Sequence, residues 1–258
     1  MTDLDRLMAC AEAMADAARP VPMRYFRKKL AVESKADASP VTIADRETEQ
    51  AMRAVLAEYF PEHGVFGEEF GAANLDARFV WVIDPIDGTR SFISGVPLFG
   101  TLIAVLDQGV PVLGITEVPA LAERYVGAQG QPSRFGDQIL RTSDITKLAS
   151  ALLFSSEHGK MTPNVAASYA SAKAAARETR QGYDCYIYAQ LAAGHIDAII
   201  ETGLAPYDYM ALVPLIEGAG GVITDWRGAP LSLQSLGDVA AAATAELHRE
   251  LISHLNPD

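Results

Sequence analysis

The hydrophobic pattern of this chain predicts a mixture of helices and strands without an internal repeat. Apolar residues recur at helical spacing over 3–18, and further helices are predicted over 23–30, 45–59, 89–94, 163–173, 184–193, 208–218 and 245–255. Short apolar runs bounded by turn residues predict strands within 63–70 and over 81–83, 99–107, 110–118, 124–127, 151–155, 178–181, 196–201, 221–224 and 239–243. Residues 33–45 are polar and are predicted to form a loop.

The connections between the strands predict two different sheets. Tight turns such as the one at 107–109 join the strands between 99 and 127, which indicates an antiparallel meander. These strands carry consecutive apolar residues, so we expect helices on both faces. Beyond a polar stretch at 128–150, strands alternate with helices, which indicates a mainly parallel or mixed second sheet. We therefore predict an N-terminal α+β subdomain over 1–140 and a C-terminal α/β subdomain over 141–258.

The composition narrows the expected location and partners. The 258 residues are 49% hydrophobic, which is enough for a sizeable core. No apolar run reaches the roughly 18 residues of a membrane span, and the first residues are acidic, so we expect a soluble, cytoplasmic protein. A net charge of −12 disfavours nucleic acid and anionic lipid as partners. With two cysteines, Cys10 and Cys185, we expect reduced thiols rather than a disulfide framework.

A strand that ends in two carboxylates carries the strongest chemical signal. The apolar residues 81–83 run into Asp84 and Asp87, with Pro85 between them. Because proline cannot donate to a strand ladder, the chain must bend, and both carboxylates and the Ile86 carbonyl can then face one point. Hard cations such as Mg²⁺ prefer oxygen ligands and would supply the positive charge that an anionic substrate needs. The alternative is a loop in which Asp84 caps a turn and Asp87 caps the next helix.

Gly88 and Thr89 add a predicted phosphate site to this stretch. Glycine lets the backbone approach a ligand closely, and free N–H groups at a helix start point toward anions. The Thr89 hydroxyl can both accept and donate a hydrogen bond, so it can hold a water molecule for attack. Metal ligands, a phosphate site and a water-binding group therefore lie within the six residues 84–89.

Three further carboxylates stand at the ends of predicted elements. Asp208 begins an apolar helix that a core must enclose, so its carboxylate would need a nearby cation; the alternative is a helix N-cap. Glu68 lies where the strand within 63–70 ends, although adjacent glutamates are usually surface charge. Asp45 begins a predicted helix, and as an isolated signal it is an N-terminal cap or a first-turn acid.

Three motifs resemble those of the inositol monophosphatase-like, metal-dependent phosphatases. They are Gly67-Glu68-Glu69, the stretch over 81–89, and Pro206-Tyr207-Asp208-Tyr209-Met210-Ala211 with a glycine-rich segment over 217–221 behind it. The similarity covers nearly the whole chain in the same order and spacing. It implies a layered αβαβα sandwich of α+β or α/β class, of the inositol monophosphatase and fructose-1,6-bisphosphatase type. Most family members have tryptophan in place of Tyr207, a change that keeps a bulky ring.

The resemblance also implies a set of metal ligands. One Mg²⁺ would be bound by Glu68, Asp84 and the Ile86 carbonyl. A second would be bound by Asp84, Asp87 and Asp208. A third, weaker ion near Glu68 would bring the number to three, and Mn²⁺ would be a substitute for Mg²⁺.

The same resemblance implies hydrolysis by water without a phosphoenzyme. The phosphate would dock on the metals and on the N–H groups of Gly88 and Thr89, while a water oriented by Thr89 and Asp45 attacks phosphorus in line. Glu68 would be essential for turnover. The expected partners are a small phosphorylated substrate and a second copy of the chain in a homodimer, with neither nucleic acid nor membrane.

Within the family, two segments resemble the histidinol-phosphate phosphatase branch. Residues 90–92 read Arg-Ser-Phe where inositol phosphatases generally carry Thr-Asn-Phe, and Asp184 replaces a small apolar residue. Histidinol phosphate carries an ammonium group and an imidazole that can be protonated, so its pocket should contain negative charge. Asp184 and Glu201 are the candidates, and Arg90 and Asp208 are also expected to contact the substrate. The alternative for Asp184 is a helix cap.

We therefore predict a Mg²⁺-dependent phosphomonoesterase that hydrolyses L-histidinol phosphate to L-histidinol and phosphate. One alternative is the same chemistry on inositol 1-phosphate or another small phosphate ester, including a nucleotide 3′-phosphate. The other is a non-catalytic regulatory binding protein that keeps the fold. The intact set of spaced carboxylates argues against that last alternative.

Overall fold

The computed structural model describes residues 2–29, 31–34, 40–157 and 162–256. The helices in this part of the chain are α1 (Asp3–Ala18), α2 (Pro20–Met23), α3 (Ile43–Tyr59), α4 (Thr89–Ile93), α5 (Pro163–Ala175), α6 (Tyr186–Ala192), α7 (Pro206–Tyr209), α8 (Leu212–Gly218) and α9 (Ala245–Leu255). The strands are β1 (Glu33–Ser34), β2 (Pro40–Val41), β3 (Gly64–Gly67), β4 (Gly71–Ala73), β5 (Phe79–Asp87), β6 (Gly100–Asp107), β7 (Val110–Val118), β8 (Glu123–Ala128), β9 (Arg134–Phe135), β10 (Gln138–Ile139), β11 (Leu152–Glu157), β12 (Glu178–Gln181), β13 (Ala198–Thr202), β14 (Val222–Asp225) and β15 (Val239–Ala242). None of these helices is both long and apolar enough to cross a membrane.

The larger sheet contains eight strands in the order β10-β9-β8-β7-β6-β5-β3-β4. Strands β5 to β8 pair as an antiparallel meander, which confirms that prediction. Strand β3 instead runs parallel to β5, with Gly67 opposite Ile83. The C-terminal ends of β3 and β5 therefore meet at one edge of the sheet, and this edge carries Glu68 and Asp84.

The smaller sheet contains five strands in the order β12-β11-β13-β15-β14. Strand β11 runs parallel to both β12 and β13, whereas β15 is antiparallel to β13 and β14. The second sheet is therefore mixed, as the alternation of strands and helices predicted.

The helices form three layers around these two sheets. Helices α1 and α3 pack on the outer face of the larger sheet, α6, α7 and α8 lie between the sheets, and α5 and α9 cover the smaller sheet. Along β5, Trp81 and Ile83 belong to the core between the larger sheet and helices α1 and α3, while Val80 and Val82 belong to the core between the two sheets. This alternation is the period of two that a strand imposes. The αβαβα order implied by the resemblance is confirmed.

The predicted subdomain boundary at residue 140 stays a prediction. The eight-stranded sheet precedes it and the five-stranded sheet follows it. The core between the sheets contains side chains from both halves, such as Leu102 and Ile199. The two halves therefore share a hydrophobic layer.

The predicted continuous helix over 208–218 is wrong. The chain forms α7 and α8 instead, and the break falls at Met210 and Ala211. Pro214 explains the break, because it has no N–H for the Met210 carbonyl and its ring would clash with that carbonyl in a regular helix. The apolar pattern of the segment reflects burial between the sheets rather than one long helix.

The structure also differs from the sequence prediction near the N-terminus and in short polar strands. The prediction of a helix over 23–30 is wrong. Helix α2 begins earlier, at Pro20, because Pro20 and Pro22 fit a first helical turn, and it ends at Met23, before Arg27 leaves the helical region with φ of +60°. Strands β1 and β2 lie in the predicted loop, whose residues 35–39 are outside the described chain. Strands β4, β9 and β10 were not predicted, since their two or three residues carry no alternating pattern.

Candidate active site

The predicted bend is a break in the pairing of β5 with β6. Asp84 and Asp87 both pair with β6, but the register shifts between them. The Pro85 carbonyl accepts a hydrogen bond from the Thr101 hydroxyl (2.8 Å), and the Ile86 N–H donates to the Asp84 carboxylate (2.9 Å). Local hydrogen bonds therefore fix the bend, and Asp84, Ile86 and Asp87 all line one cavity of about 160 Å³.

The structure brings three of the predicted metal ligands together. One carboxylate oxygen each of Asp84, Asp87 and Asp208 lies within 4.8 Å of the other two. Asp208 is the third residue of α7, not its N-cap, and its carboxylate accepts a hydrogen bond from the Ala205 N–H (2.7 Å). Glu68 is outside this group of three, but it lines the same cavity from the turn after β3. The cavity therefore collects carboxylates from β5, α7 and the β3–β4 turn.

Burial and neighbouring negative charges raise the pKa values of the carboxyl groups in this cluster. Burial raises the pKa of Asp84 and of Asp87 well above the usual range, and neighbouring carboxylates raise both further, chiefly Glu68 for Asp84 and Asp184 for Asp87. Burial also raises the pKa of Asp208 to about 7, although the Ala205 N–H opposes this shift. An opposite charge in the cluster would favour the ionised carboxylates again. The residues therefore fit a divalent cation, and their hard oxygen donors suit Mg²⁺.

Asp45 and Thr89 contact each other beside the cluster. Helix α3 begins at Ile43 with Thr42 as its N-cap, so the prediction that it begins at Asp45 is wrong by two residues. One Asp45 oxygen accepts hydrogen bonds from the Thr42 N–H (2.8 Å) and hydroxyl (2.7 Å). The other lies 3.3 Å from the Thr89 hydroxyl, which is also 3.2 Å from the Ile86 carbonyl oxygen. Asp45 is thus a first-turn acid that also reaches the predicted water-binding residue.

Asp184 packs directly against the predicted phosphate site. It lies two residues before α6, which begins at Tyr186 rather than at 184, and its φ is +50°. Its carboxylate accepts a hydrogen bond from the Ser91 hydroxyl (2.5 Å). Gly88 has φ of +82°, and a Cβ there would lie 2.5 Å from an Asp184 carboxylate oxygen. Glycine is therefore needed at position 88 for both its backbone conformation and this contact.

Glu201 and Arg90 complete the predicted substrate side of the cavity. Glu201 lies on β13 with 2% of its surface exposed, and its carboxylate accepts a hydrogen bond from the Tyr188 hydroxyl (2.6 Å). Arg90, by contrast, is exposed at the rim of the same cavity. All the residues predicted from the sequence except Asp45 therefore line one cavity, and Asp45 contacts it through Thr89.

The structure adds three lining residues that the sequence did not predict, namely Cys185, Tyr188 and Leu204. The Cys185 N–H donates a hydrogen bond to Asp87 (2.6 Å), and the Tyr188 hydroxyl holds Glu201. Cys185 and Tyr188 fit the apolar pattern of α6 and its start, so the hydrophobic pattern gave no reason to assign them to a site. The available signal was the adjacency of Cys185 to Asp184 in a segment already singled out.

Several known proteins are similar to this chain over most of its length. A bifunctional phosphatase of Arabidopsis thaliana, the chloroplastic IMPL2, is 41% identical over 98% of this chain and 76% of its own length. A histidinol-phosphatase of Chlorobaculum parvum is 35% identical over 88% of this chain and 89% of its own. The solved structure of an inositol monophosphatase from Zymomonas mobilis has a TM-score of 0.89 and 41% identity, covering 99% of both chains.

The family assignment rests on a match over almost the full length. A model of the inositol monophosphatase family matches residues 3–257, and the carboxylate cluster lies inside that range. Enzymes of this family are phosphomonoesterases that depend on metal ions, typically Mg²⁺. The chain belongs to the inositol monophosphatase family of phosphatases.

Proposed function

We propose that this phosphatase hydrolyses L-histidinol phosphate to L-histidinol and phosphate. The observation that carries the proposal is the position of Asp184, whose carboxylate packs on Gly88 and is held there by Ser91. A second acid, Glu201, lines the same cavity. A substrate with an ammonium group near its phosphate ester fits a cavity lined by these two acids, because oppositely charged groups form strong, directional hydrogen bonds.

Mg²⁺ is the proposed cofactor, with two or three ions per site and Mn²⁺ as a substitute. The residues that would hold it are Asp84, Asp87 and Asp208, with Glu68 and the Ile86 carbonyl at the edge of the same cavity. When bound, the metal would neutralise phosphate charge, make water more acidic and stabilise the leaving oxygen. The buried carboxylates support this proposal, since a bound cation would relieve their mutual repulsion when they are ionised.

The chain's own groups would orient the water and the phosphate. The Thr89 hydroxyl can donate to Asp45 and accept a hydrogen bond from a water, so the proton of that water can move toward the Asp45 carboxylate. Thr42 holds the other oxygen of Asp45 and so fixes its direction. The N–H groups of Gly88 and Thr89 would bind the phosphate, where the positive φ of Gly88 turns the backbone.

Initial rates on two substrates test this proposal. We expect kcat/KM with Mg²⁺ to be at least about tenfold higher for histidinol phosphate than for inositol 1-phosphate, because Asp184 favours a cationic substrate. Activity should disappear when the metal is chelated and return when Mg²⁺ is added. Equal rates on the two esters would contradict the proposed substrate, and activity that survives chelation would contradict the metal requirement.

The second candidate function is hydrolysis of inositol 1-phosphate. The similarity to the Zymomonas mobilis inositol monophosphatase favours it, and the same pair of rates decides between the two. A homodimer is a further proposal that rests on the family resemblance. Analytical ultracentrifugation would test it, and a single species with the mass of one chain would contradict it.

A further inference from the structure

Glu49 is a buried carboxylate that the proposed chemistry does not use. It lies on α3 one turn after Asp45, and its side chain is fully buried. It accepts hydrogen bonds from the N–H groups of Glu69 (2.7 Å) and Phe70 (3.3 Å). Burying a carboxylate costs free energy unless it is paired and hydrogen-bonded. The partners of Glu49 therefore indicate which part of the structure it supports.

Arg53 pairs with Glu49 and binds a further backbone position of the same turn. The Arg53 guanidinium donates to the Glu49 carboxylate (2.7 Å) and to the Gly71 carbonyl (2.6 Å). We call Glu49 and Arg53 the α3 clamp. The clamp holds the turn between β3 and β4 at three successive backbone positions, 69 to 71, and two side chains of one helix provide all of these contacts.

The backbone just before the turn allows the Glu49 carboxylate to approach closely. A Cβ at Gly67 would lie 2.0 Å from a Glu49 carboxylate oxygen, so only glycine allows this approach. On the other side of the turn, the Glu68 N–H donates to the Ile83 carbonyl of β5 (3.3 Å). Glu68 therefore sits between the clamp and the strand that carries Asp84.

The position of Glu68 creates the need for such a clamp. Its carboxylate lies close enough to Asp84 for the two negative charges to interact, and the turn that carries it has an exposed residue, Phe70, at its tip. When both carboxylates are ionised, their repulsion pushes Glu68 and its turn away from the cluster. The Glu49–Arg53 pair opposes that displacement from the other side.

We propose that the α3 clamp is a positioning device that holds Glu68 in place and thereby sets the metal affinity of the site. Helix α3 then serves the site twice, since Asp45 contacts Thr89 and Glu49 fixes the Glu68 turn one helical turn later. The inference rests on the proposed function to the extent that Glu68 is a metal ligand. Neither clamp residue lines the cavity that contains the carboxylate cluster.

Mn²⁺ binding to the full-length protein, measured by electron paramagnetic resonance, tests the clamp directly. We expect Glu49→Gln to weaken Mn²⁺ binding by about tenfold, because supporting hydrogen bonds of metal ligands typically contribute this much. The Mg²⁺ concentration for half-maximal activity should rise by a similar factor, while KM at saturating Mg²⁺ should stay within about twofold. Arg53→Lys keeps the positive charge but loses the guanidinium that donates to Glu49 and to the Gly71 carbonyl at the same time, so it should show an intermediate effect.

Two controls separate positioning from general destabilisation. Glu58→Gln makes the same change at an exposed position of α3 and should leave Mn²⁺ binding unchanged. The melting temperature without metal reports stability alone. A Glu49→Gln variant that melts earlier but binds Mn²⁺ like the parent would overturn the proposal. If Glu49→Gln does not fold, Arg53→Lys carries the same test, since its side chain is partly exposed.

A double-mutant cycle decides whether the clamp acts through Glu68. In a Glu68→Ala background, Glu49→Gln should no longer change Mn²⁺ affinity, because the group that it positions is gone. Additive losses would overturn the proposal, and so would a Glu68→Ala variant with normal Mn²⁺ affinity. A protein that shows the expected cycle but no phosphatase activity would support the clamp and refute only the proposed function.

Discussion

Asp184 is the side chain on which the proposed substrate preference depends. Replacing it with Ala should lower kcat/KM for histidinol phosphate by about tenfold to a hundredfold, the range expected for a lost hydrogen bond to a charged group. The rate on inositol 1-phosphate should change less, because its neutral hydroxyls gain less from the carboxylate. Steady-state kinetics on both esters measures this.

Ser91→Ala is the matched control for the Asp184 substitution. It removes the hydrogen bond that orients Asp184 but keeps the charge, so we expect a smaller loss in the same direction. Equal losses on both esters in Asp184→Ala would mean that the carboxylate supports the cavity without choosing the substrate.

His63 makes the stability of the fold depend on pH. Burial lowers its pKa, and its Nδ1 accepts a hydrogen bond from the Trp81 indole N–H (3.0 Å), which requires the neutral ring. A lowered folded-state pKa gives stability that is present above the unfolded value of about 6.5 and is lost as the pH falls through the folded-state pKa. The free energy of unfolding should therefore decrease through this residue as the pH falls below about 6.5 and through the lowered folded-state pKa.

Comparison of wild type with His63→Gln by urea denaturation measures the His63 contribution. The difference in free energy of unfolding between the two proteins should shift against the wild type as the pH falls. The same substitution at the exposed His195 should leave the pH profile unchanged. A His63→Gln profile parallel to the wild type would contradict the assignment.

At the scale of elements, the junction of α7 and α8 against β7 places Asp208. A Cβ at Gly114 of β7 would lie 1.9 Å from the Ala211 carbonyl oxygen. Gly114→Ala should therefore push the junction away, lower the free energy of unfolding by about 1–3 kcal/mol as overpacking does, and weaken metal binding. Chemical denaturation and Mn²⁺ titration of the same variant measure the two effects.

Gly127→Ala provides the control for that prediction. A Cβ at Gly127 would lie 2.4 Å from the backbone of Leu215 in α8, farther along the chain from Asp208. We expect similar destabilisation with a smaller loss of Mn²⁺ affinity. If both variants lose affinity equally, the junction does not act through Asp208.

The sequence predicts elements well where one pattern dominates and poorly where two signals compete. The bounds of α1 and α9 follow directly from helical spacing after a threonine N-cap. Over 208–218, the apolar pattern suggested one helix, while Pro214 was the competing signal that in fact divides it. Backbone geometry set by a single proline outweighs periodicity here, since the lost hydrogen bond and the ring clash act at one point.

The candidate site could be predicted only as far as local chemistry extends. The grouping of Asp84, Ile86 and Asp87 follows from a proline-induced bend, which is a local property. The contact of Asp184 with Gly88 joins positions 96 residues apart, and no local pattern indicates it. Glu49 escaped notice for the same reason, because its hydrogen bonds reach a turn twenty residues away.

At the scale of the whole molecule, the carboxylate cluster joins two layers of the fold. Asp84 and Asp87 come from the larger sheet, and Asp208 comes from the helical layer between the sheets. Without a cation, the repulsion among these groups acts across that junction. Metal binding should therefore stabilise the entire fold and not only the cavity.

Thermal unfolding at two pH values tests this coupling between metal and fold. A carboxyl whose folded-state pKa is raised favours folding below its unfolded pKa and loses that contribution as the pH rises through the folded-state value. For Asp208 this window runs from its usual 3.8 to about 7. Near pH 8, this group should therefore destabilise the metal-free protein. Mg²⁺ should raise the melting temperature more near pH 8 than near pH 5.5, because protons compete for the same carboxylate oxygens at the lower pH. Asp208→Asn removes both the titrating proton and the ligand, so its metal-induced shift should be small at either pH. Equal shifts for the wild type at the two pH values would show that the cluster does not exchange its protons for metal.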